Sequence, residues 1–323
     1  MAFRDRKGAI APYTDERAIL RANSFLFGHN QSSGFYVHED GRIHHGALEP
    51  NYRNYLTLMA QWYREGLIDR DIFSMNFDTV SAKMTTGQSG MGYGTLNSRM
   101  NTWNITVKRT NPGFSLIMIA NPSLQKGVRT EYGAGDHYFG TNGLAGISGT
   151  SRNQELAARL MDYGYGPEGH MLYNFGIEGV SYTMINGYPT YTNVLTNNPQ
   201  GWTTAQALGA YARAGDGGPM VQDIRYFEQY MTGQEAKDSI PRITNLPALK
   251  HNPPILTPTQ AESQEQARIM NDINTYIEEM VTKYILGTEN LNTFDTFTAT
   301  LRRMGIERAI EIQNAAWTRF QAR

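Results

Sequence analysis

Two sets of residues in this chain could do chemistry: seven histidines, and a group of aromatic and amide side chains on glycine-rich loops. The histidines are His29, His38, His44, His45, His137, His170 and His251. No HExxH occurs among them, and no pair falls at helical spacing. His44 and His45 are adjacent on an expected strand, so their side chains point to opposite faces, which hinders a shared metal. His38, Glu39 and Asp40 fall at an expected hairpin turn and read as solvated. There is no GxSxG and no phosphate-binding loop. Gly133-Ala-Gly135 and Gly140-Thr-Asn-Gly143 are glycine-rich, but neither leads from a strand into a helix. A carboxylate pair for glycoside cleavage would come from distant positions, and none stands out. With no cysteine, disulfides, thiol catalysis and zinc–thiolate sites are excluded. No catalytic residue, metal ligand or cofactor is assigned.

The aromatic set suits binding rather than catalysis. Gly90-Met-Gly-Tyr-Gly94 continues into Thr95-Leu-Asn-Ser-Arg-Met-Asn-Thr-Trp103. A strand that runs into a glycine-spaced loop with Tyr93, Asn97 and Trp103 could line a cleft. Tyr and Trp offer flat apolar faces to sugar C–H groups, while Asn and Asp take hydroxyls. Asp136, Tyr138 and Tyr182 offer the same chemistry. The plainer alternative is that these aromatics are core residues or loop anchors.

The elements that would hold these residues follow from spacing. Gly34–Val37 and Arg42–His45 flank an Asp-Gly turn and predict a hairpin. Tyr52, Tyr55, Leu56, Met59, Trp62 and Tyr63 predict a helix after Pro50, closed by Gly66. A shorter helix is expected over Asp78–Thr86. Gly90–Tyr93, Phe114–Ile119 and Leu144–Ile147 read as short buried strands. Asn153–Tyr165 predicts a helix with Leu156, Ala157, Leu160 and Met161 inward, and Pro167–Phe175 a second. Tyr182–Ile185 and Pro189–Thr192 predict another hairpin on Asn186-Gly187. Asn197–Gly218 reads as loop, and Pro241–Pro258, with five prolines, as an extended crossing segment.

Toward the end of the chain, Thr257 is expected to cap a helix beginning at Pro258 and ending at Gly287. Its face is Ile269, Ile273, Tyr276, Ile277, Val281, Tyr284 and Ile285. Phe294, Phe297, Leu301 and Met304 define the next helix. Ile306, Ile310, Gln313, Trp317 and Phe320 define the last. Such stripes are what packed core requires and say nothing by themselves about function.

Composition sets outer bounds. The 323 residues include 40% hydrophobic and 18% charged side chains, enough for two domains or one large α/β body with a real core. Lys and Arg number 29 against 30 Asp and Glu, a net charge of −1. That gives no long-range attraction to nucleic acid or anionic lipid. No apolar run reaches the length of a membrane span. The opening residues hold no secretory h-region or cleavage site, which taken literally predicts a soluble, cytoplasmic chain.

Four stretches carry a resemblance to extracellular solute-binding proteins of family 1, the receptors of bacterial ABC sugar importers. Tyr55–Asp69, YLTLMAQWYREGLID, resembles that family's helix ending in "eGLiD". Thr86–Gly94, TGQSGMGYG, resembles its strand and loop. Met161–Tyr182, MDYGYGPEGHMLYNFGIEGVSY, resembles its "D-Y-x-Y-x-x-E-G … G-I-E-G-x-x-Y" signature. Asn271–Phe320 resembles its terminal helices. The resemblance is greatest to the large lipoprotein branch of Gram-positive bacteria and covers essentially the whole chain.

The resemblance implies an α/β, periplasmic-binding-protein-like (type II) fold, with two lobes, hinge crossings and an incomplete first lobe. Residues 1–113 and 176–323 would form the second, C-terminal lobe. Residues 114–175 would form the return crossing and part of the first, N-terminal lobe. The opening part of the first lobe, the signal peptide and the lipid-bearing cysteine of the family are not matched. A truncated product, a fragment or half of a split gene is the expectation.

The implied function is oligosaccharide capture for an ABC importer, by a binding protein rather than an enzyme. Its partners would be the sugar and the permease subunits, and its place outside the cell, anchored by lipid in the full-length family. The implied ligand residues are Tyr93, Asn97 and Trp103, with Tyr182 and Trp202 behind them and Asp136 and Tyr138 facing the same cleft. Glu178, in the Gly-Ile-Glu-Gly turn, reads as structural first. Two rivals stay open: a carbohydrate-active enzyme with an unidentified carboxylate pair, and a protein-interaction module.

Overall fold

The computed structural model describes residues 9–22, 33–128, 145–202, 204–213, 220–231, 233–244 and 250–323. The chain divides into two compact units, Met1–Asp136 with Pro241–Arg323, and His137–Ile240. The expected lobe boundaries near 113 and 175 cut the chain at different places from this division.

The first unit opens on strand β1 (Ala11–Tyr13) and a short helix α1 (Arg17–Ala22). β2 (Phe35–Val37) and β3 (Ile43–His45) pair antiparallel as the Asp-Gly turn predicts, in the register Tyr36 opposite His44. α2 (Pro50–Arg64) starts at its proline, whose fixed φ suits a first helical turn, and buries Tyr52, Tyr55, Leu56 and Met59. α3 (Phe77–Thr85) is entered through a capping box between Asn76 and Thr79. β4 (Ser89–Met91) follows and pairs parallel with β1, Ala11 opposite Ser89 and Tyr13 opposite Met91. Ile68 bridges Tyr13 from the other side, also parallel. A π-helical turn, Leu96–Asn101, leads into α4 (Thr102–Lys108).

Phe114–Ile119 does not form the expected strand. The amide of Asn104 takes the place of a ladder neighbour: Leu116 N–H donates to its Oδ1 and its Nδ2 donates to Leu116 C=O, both at 2.8 Å. A side chain that satisfies donor and acceptor together removes the need for strand pairing. Of the strand expected at Leu144–Ile147, Leu144 lies outside the described residues, and 145–147 are exposed and irregular.

In the second unit, α5 (Gln154–Tyr163) and α6 (Pro167–Phe175) precede the hairpin β5 (Tyr182–Ile185) and β6 (Tyr188–Tyr191). Leu156 and Leu160, expected inward, are 66% and 64% exposed. Their spacing shows that one side of α5 is apolar, and spacing alone does not supply a covering surface. After α7 (Asn193–Thr196), the stretch read as loop contains a helix, α8 (Thr204–Tyr211), followed by α9 (Ile224–Tyr230). Phe175, Tyr182, Tyr191, Leu195, Leu208 and Tyr226 form the core of this unit.

α10 (Gln234–Thr244) is helical through Pro241, where an extended segment was expected. Within that expected segment, residues 250–258 are described as free of helix and strand. α11 (Gln260–Leu286) starts two residues later than the sequence suggests. Thr259, not Thr257, caps it, because Glu262 stands three residues on and closes a capping box with Thr259. Its 27 residues span about 40 Å. Ile273, Ile277, Val281, Tyr284 and Ile285 are buried as expected. α12 (Phe294–Arg303) buries Phe294, Phe297 and Leu301.

α13 (Ile306–Gln321) is rotated from the expected face and buries Ile306, Ala309, Ile312 and Ala316. Trp317 remains at the rim, where its indole N–H donates to Gly41 C=O at 2.8 Å. On the same helix Asn314 serves the edge of β3, donating to Ile43 C=O at 2.7 Å and accepting Ile43 N–H at 3.0 Å. The main core of this unit joins α2, α11, α12 and the end of β1. Among the described residues no helix is long and apolar enough to cross a membrane.

Candidate ligand site

In the first unit three parallel segments end together: β1 in Thr14-Asp15-Glu16, β4 in Gly92-Tyr93-Gly94, and the Ile68 bridge in Asp69. The carboxyl ends of parallel strands are where open α/β sheets take ligands. Here those ends carry a buried polar frame. Asp15 is fully buried. Its carboxylate accepts Tyr93 N–H at 2.6 Å, Glu16 N–H at 2.9 Å and the Tyr13 hydroxyl at 3.1 Å. Burial pushes the Asp15 carboxyl up, and the Tyr93, Glu16 and Tyr13 donors and then Arg99 oppose that push.

Arg99 ties the loop after β4 back onto itself. Its guanidinium donates to Tyr93 C=O at 3.0 Å, pairs with Glu16, and lies 4.9 Å over the Phe77 ring. Beneath the frame, Lys83 holds both oxygens of Asp69 at 2.9 Å, and the Thr14 hydroxyl donates to Asp69 at 3.1 Å. Gly92 is required by the close approach of the two strands. A Cβ there would stand 2.8 Å from Thr14 C=O, well inside contact distance.

Tyr93 is thereby held at N–H and C=O while its ring is half-buried. Desolvation first, and Asp15 second, raise its hydroxyl above the ordinary value, so it stays a neutral donor. A half-exposed ring on a doubly anchored backbone can stack on a flat apolar face, with a hydroxyl to spare for hydrogen bonding.

The second unit offers a different arrangement. The Gly-Ile-Glu-Gly turn is closed by Ser181, whose hydroxyl donates to Phe175 C=O and accepts Ile177 N–H, both at 2.7 Å. Gly176 sits at φ +83°, where a Cβ would overlap Ser181 Oγ and Tyr211 C=O. Glu178 is exposed at this turn. Asn198 makes a turn of its own, its Oδ1 accepting Gln200 N–H at 2.9 Å. Trp202 follows with 42% of its surface exposed.

Also in this unit, Asp223 caps α9 and gathers Arg225 and His170, with His170 Nε2 at 2.9 Å. The Arg225 contacts, and after the opposing desolvation that of His170, hold the Asp223 carboxyl well below the usual range. This cluster is saturated by its own members and by Asn174, which accepts Asp223 N–H at 2.8 Å.

The sequence-expected residues scatter over these surroundings. Tyr93 and Trp202 present ring surface. Trp103 is 7% exposed and packs with Met75, Val80 and Met84; Tyr182 is 5% exposed and packs in the second core. Asn97 lies on the π-helical turn. Asp136 and Tyr138 lie outside the described residues. Asp15 and Arg99 were not anticipated. β1 is three residues long and contains Pro12, so it shows no alternation that marks a strand. The one available signal is an acidic pair, Asp15-Glu16, one residue after the tripeptide Ala11-Pro12-Tyr13.

This arrangement, parallel strand ends flanked by helices, belongs to the periplasmic-binding-protein-like α/β fold of ABC-transporter solute-binding proteins, and the chain has that fold. In particular, it is similar to the fructooligosaccharide ABC transporter substrate-binding protein FusA of Streptococcus pneumoniae, with 24% identity over 294 residues, 88% of this chain and 52% of FusA. The chain therefore spans about half the length of the curated relative it matches. Among solved structures, alginate-binding protein AlgQ2 superposes with a TM-score of 0.67 at 24% identity, over 98% of this chain and 66% of that one. An "HMO binding" ABC-transporter-associated solute-binding protein from Bifidobacterium longum infantis gives 0.65 at 14% identity, over 98% and 67%. No family model matches the chain.

Proposed function

We propose that this chain is the carbohydrate-binding receptor of an ABC importer, or a part of one, of the family 1 type. The observation that carries the reading is the anchored Tyr93 at the carboxyl end of β4, with its backbone fixed by Asp15 and Arg99. Preorganised aromatic faces on a polar frame are what a neutral oligosaccharide requires, since stacking supplies affinity and fixed donors supply orientation. Tyr93 is the stacking ring of the first unit and Trp202 that of the second. Asn97, Asp136 and Tyr138 supply polar contacts, and Trp103 and Tyr182 are packed each in the core of its own unit. The likeness to proteins named for fructooligosaccharide, alginate and HMO binding supports an oligosaccharide over a single sugar.

Under this reading the protein is a binder and not an enzyme, its macromolecular partners are permease subunits, and it works outside the cell on a lipid anchor. The two lobes are residues 1–113 with 176–323, and 114–175, and hinged closure excludes water from the sugar. Isothermal titration of the chain against fructooligosaccharides, alginate oligosaccharides and milk oligosaccharides is the test. Saturable binding of one of these classes, weakened by Tyr93→Ala, is expected. Absence of heat with all three, confirmed by absence of a shift in melting temperature, rejects the reading.

A further inference from the structure

The β2–β3 hairpin brings together side chains that the sequence keeps apart. Tyr36 is opposite His44, and His38 lies two residues beyond Tyr36, so all three share one face by the two-residue period of a strand. The rings of His38 and His44 stack with centroids 4.1 Å apart and planes at 14°. Asp40, in the turn, reaches both: its Oδ1 is 3.2 Å from His38 Nδ1 and its Oδ2 is 3.0 Å from His44 Nε2. One ligand atom from each of the three residues lies within 4.8 Å of the others. We propose that His38, Asp40 and His44 form a surface site for a divalent transition-metal ion, zinc being the reference case.

The hydrogen-bond bookkeeping of the cluster points to a cation. Asp40 N–H donates to His38 Nδ1 at 3.2 Å, so that nitrogen is unprotonated beside the Asp40 carboxylate, and its one lone pair would exchange this N–H for a metal ion. His44 has a carboxylate at each nitrogen, Asp40 at Nε2 and Glu49 at Nδ1, the latter at 3.1 Å. A neutral imidazole carries one N–H and can donate to only one of them. Donation to Glu49 leaves the Nε2 lone pair facing Asp40, and a metal ion between them turns that opposition into coordination.

Glu49 on the far nitrogen then fixes tautomer and ring direction, the carboxylate–histidine–metal pattern. Zinc bound at about 2.0–2.1 Å in tetrahedral geometry puts its ligands roughly 3.3 Å apart. The Asp40 separations, one from each carboxylate oxygen, are near that edge, and the three ligand atoms, within 4.8 Å of one another, would close in around the ion. Arg42 N–H donates to Asp40 Oδ1 at 2.9 Å, which favours the ionised carboxylate and makes it a ready anionic ligand.

Two imidazoles and one carboxylate select zinc, cobalt, nickel or copper over magnesium and calcium. With side chains 32–44% exposed, the site is open to solvent, and water completes the coordination. Neither helical spacing, nor the His44–His45 pair, nor the solvated turn His38-Glu39-Asp40 marks it in the sequence. The partner of His44 is six residues earlier, across the hairpin.

The test is isothermal titration of the tag-free, chelator-treated full chain with Zn²⁺ at neutral pH, backed by the visible spectrum of the Co²⁺ form. One ion per chain and a tetrahedral Co²⁺ spectrum are expected. His38→Ala with His44→Ala should abolish both. The exposed substitution Asp40→Asn, which leaves the core untouched, should weaken Zn²⁺ strongly. Glu49→Gln should weaken it by about tenfold. Cu²⁺ should quench indole fluorescence in the wild type, because Trp317 is held at the Gly41 carbonyl of the same turn. Failure of the wild type to bind Zn²⁺, unchanged affinity in the double histidine variant, or equal affinity for Ca²⁺ overturns the assignment.

Discussion

Tyr93 and Asp15, 78 residues apart, are joined by a 2.6 Å hydrogen bond from the Tyr93 backbone to Asp15 Oδ2. The bond couples the second residue past β4 to the second past β1. The parallel ladder aligns the two strands, and this contact carries the alignment into the loops. It also explains why a carboxylate is kept where no water reaches. The backbone N–H groups of Tyr93 and Glu16 would otherwise lack an acceptor, and an unmade buried hydrogen bond costs more than a made one contributes.

Asp15→Ala should therefore destabilise the first unit by about 2–3 kcal/mol through orphaned buried donors. It should also weaken any sugar bound at Tyr93, because the loop loses its tether. Urea unfolding reads the first effect, and calorimetry under conditions where the variant is folded reads the second. Unchanged stability would mean that the frame is held by Arg99 and the ladder alone.

Tyr93 and Trp103 should respond in opposite ways although both come from one loop. Trp103 is core, packed with Met75, Val80 and Met84, so Trp103→Ala should cost about 3–5 kcal/mol of stability. Tyr93→Ala should leave the melting temperature nearly unchanged and weaken oligosaccharide binding by roughly ten- to a hundredfold, about 1.4–2.8 kcal/mol. Thermal unfolding and titration of the two variants side by side separate packing from recognition. Loss of stability in both would remove Tyr93 from the site.

Much of the frame was legible from spacing. The α2 face, the two hairpins and the buried stripe of α11 follow from local periodicity and turn chemistry. What failed depended on distant partners. Phe114–Ile119 has strand composition, but Asn104 satisfies Leu116 in place of a ladder. Leu156 and Leu160 have core spacing and face solvent. On α13 the small residues Ala309 and Ala316 are buried while Trp317 stays at the rim, because close packing selects small side chains that a search for large ones passes over. In the candidate site Tyr93 could be named from its glycine-flanked loop. The residues that position it could not, because Asp15 and Arg99 meet only through the β1–β4 crossover.

Gly176→Ala should be among the most damaging single changes in the second unit. The residue has φ +83°, and an added Cβ would run into Ser181 Oγ and the Tyr211 carbonyl. One obstacle is strain at a backbone angle that L-residues avoid, and the other is a clash with backbone; together about 2–4 kcal/mol is expected. Glu178→Ala, two residues along the same turn and exposed, should cost little. Denaturant midpoints of the pair test whether the turn is kept for its shape or for its carboxylate.

His45 should make stability acid-sensitive well above the carboxylate range. It is fully buried, and its Nδ1 has no hydrogen-bond partner among the described residues; burial alone lowers the imidazole from 6.5 to about 3. A lowered folded-state value means that the native protein binds fewer protons than the unfolded chain between those limits. Stability from this group is thus intact above about pH 6.5 and falls as pH drops toward 3, with a slope of about 1.4 kcal/mol per pH unit. His45→Phe replaces the imidazole by an apolar ring of similar shape beside Phe35, which meets His45 edge-on at 4.9 Å. The variant should keep or raise stability at neutral pH, since no buried nitrogen is left unpaired. It should also lose that part of the slope. Urea unfolding from pH 7 to 4.5, taken as the difference between wild type and variant, cancels the other titrating groups. Parallel curves would show that His45 stays neutral for a reason other than burial, or that the hairpin opens to admit the proton.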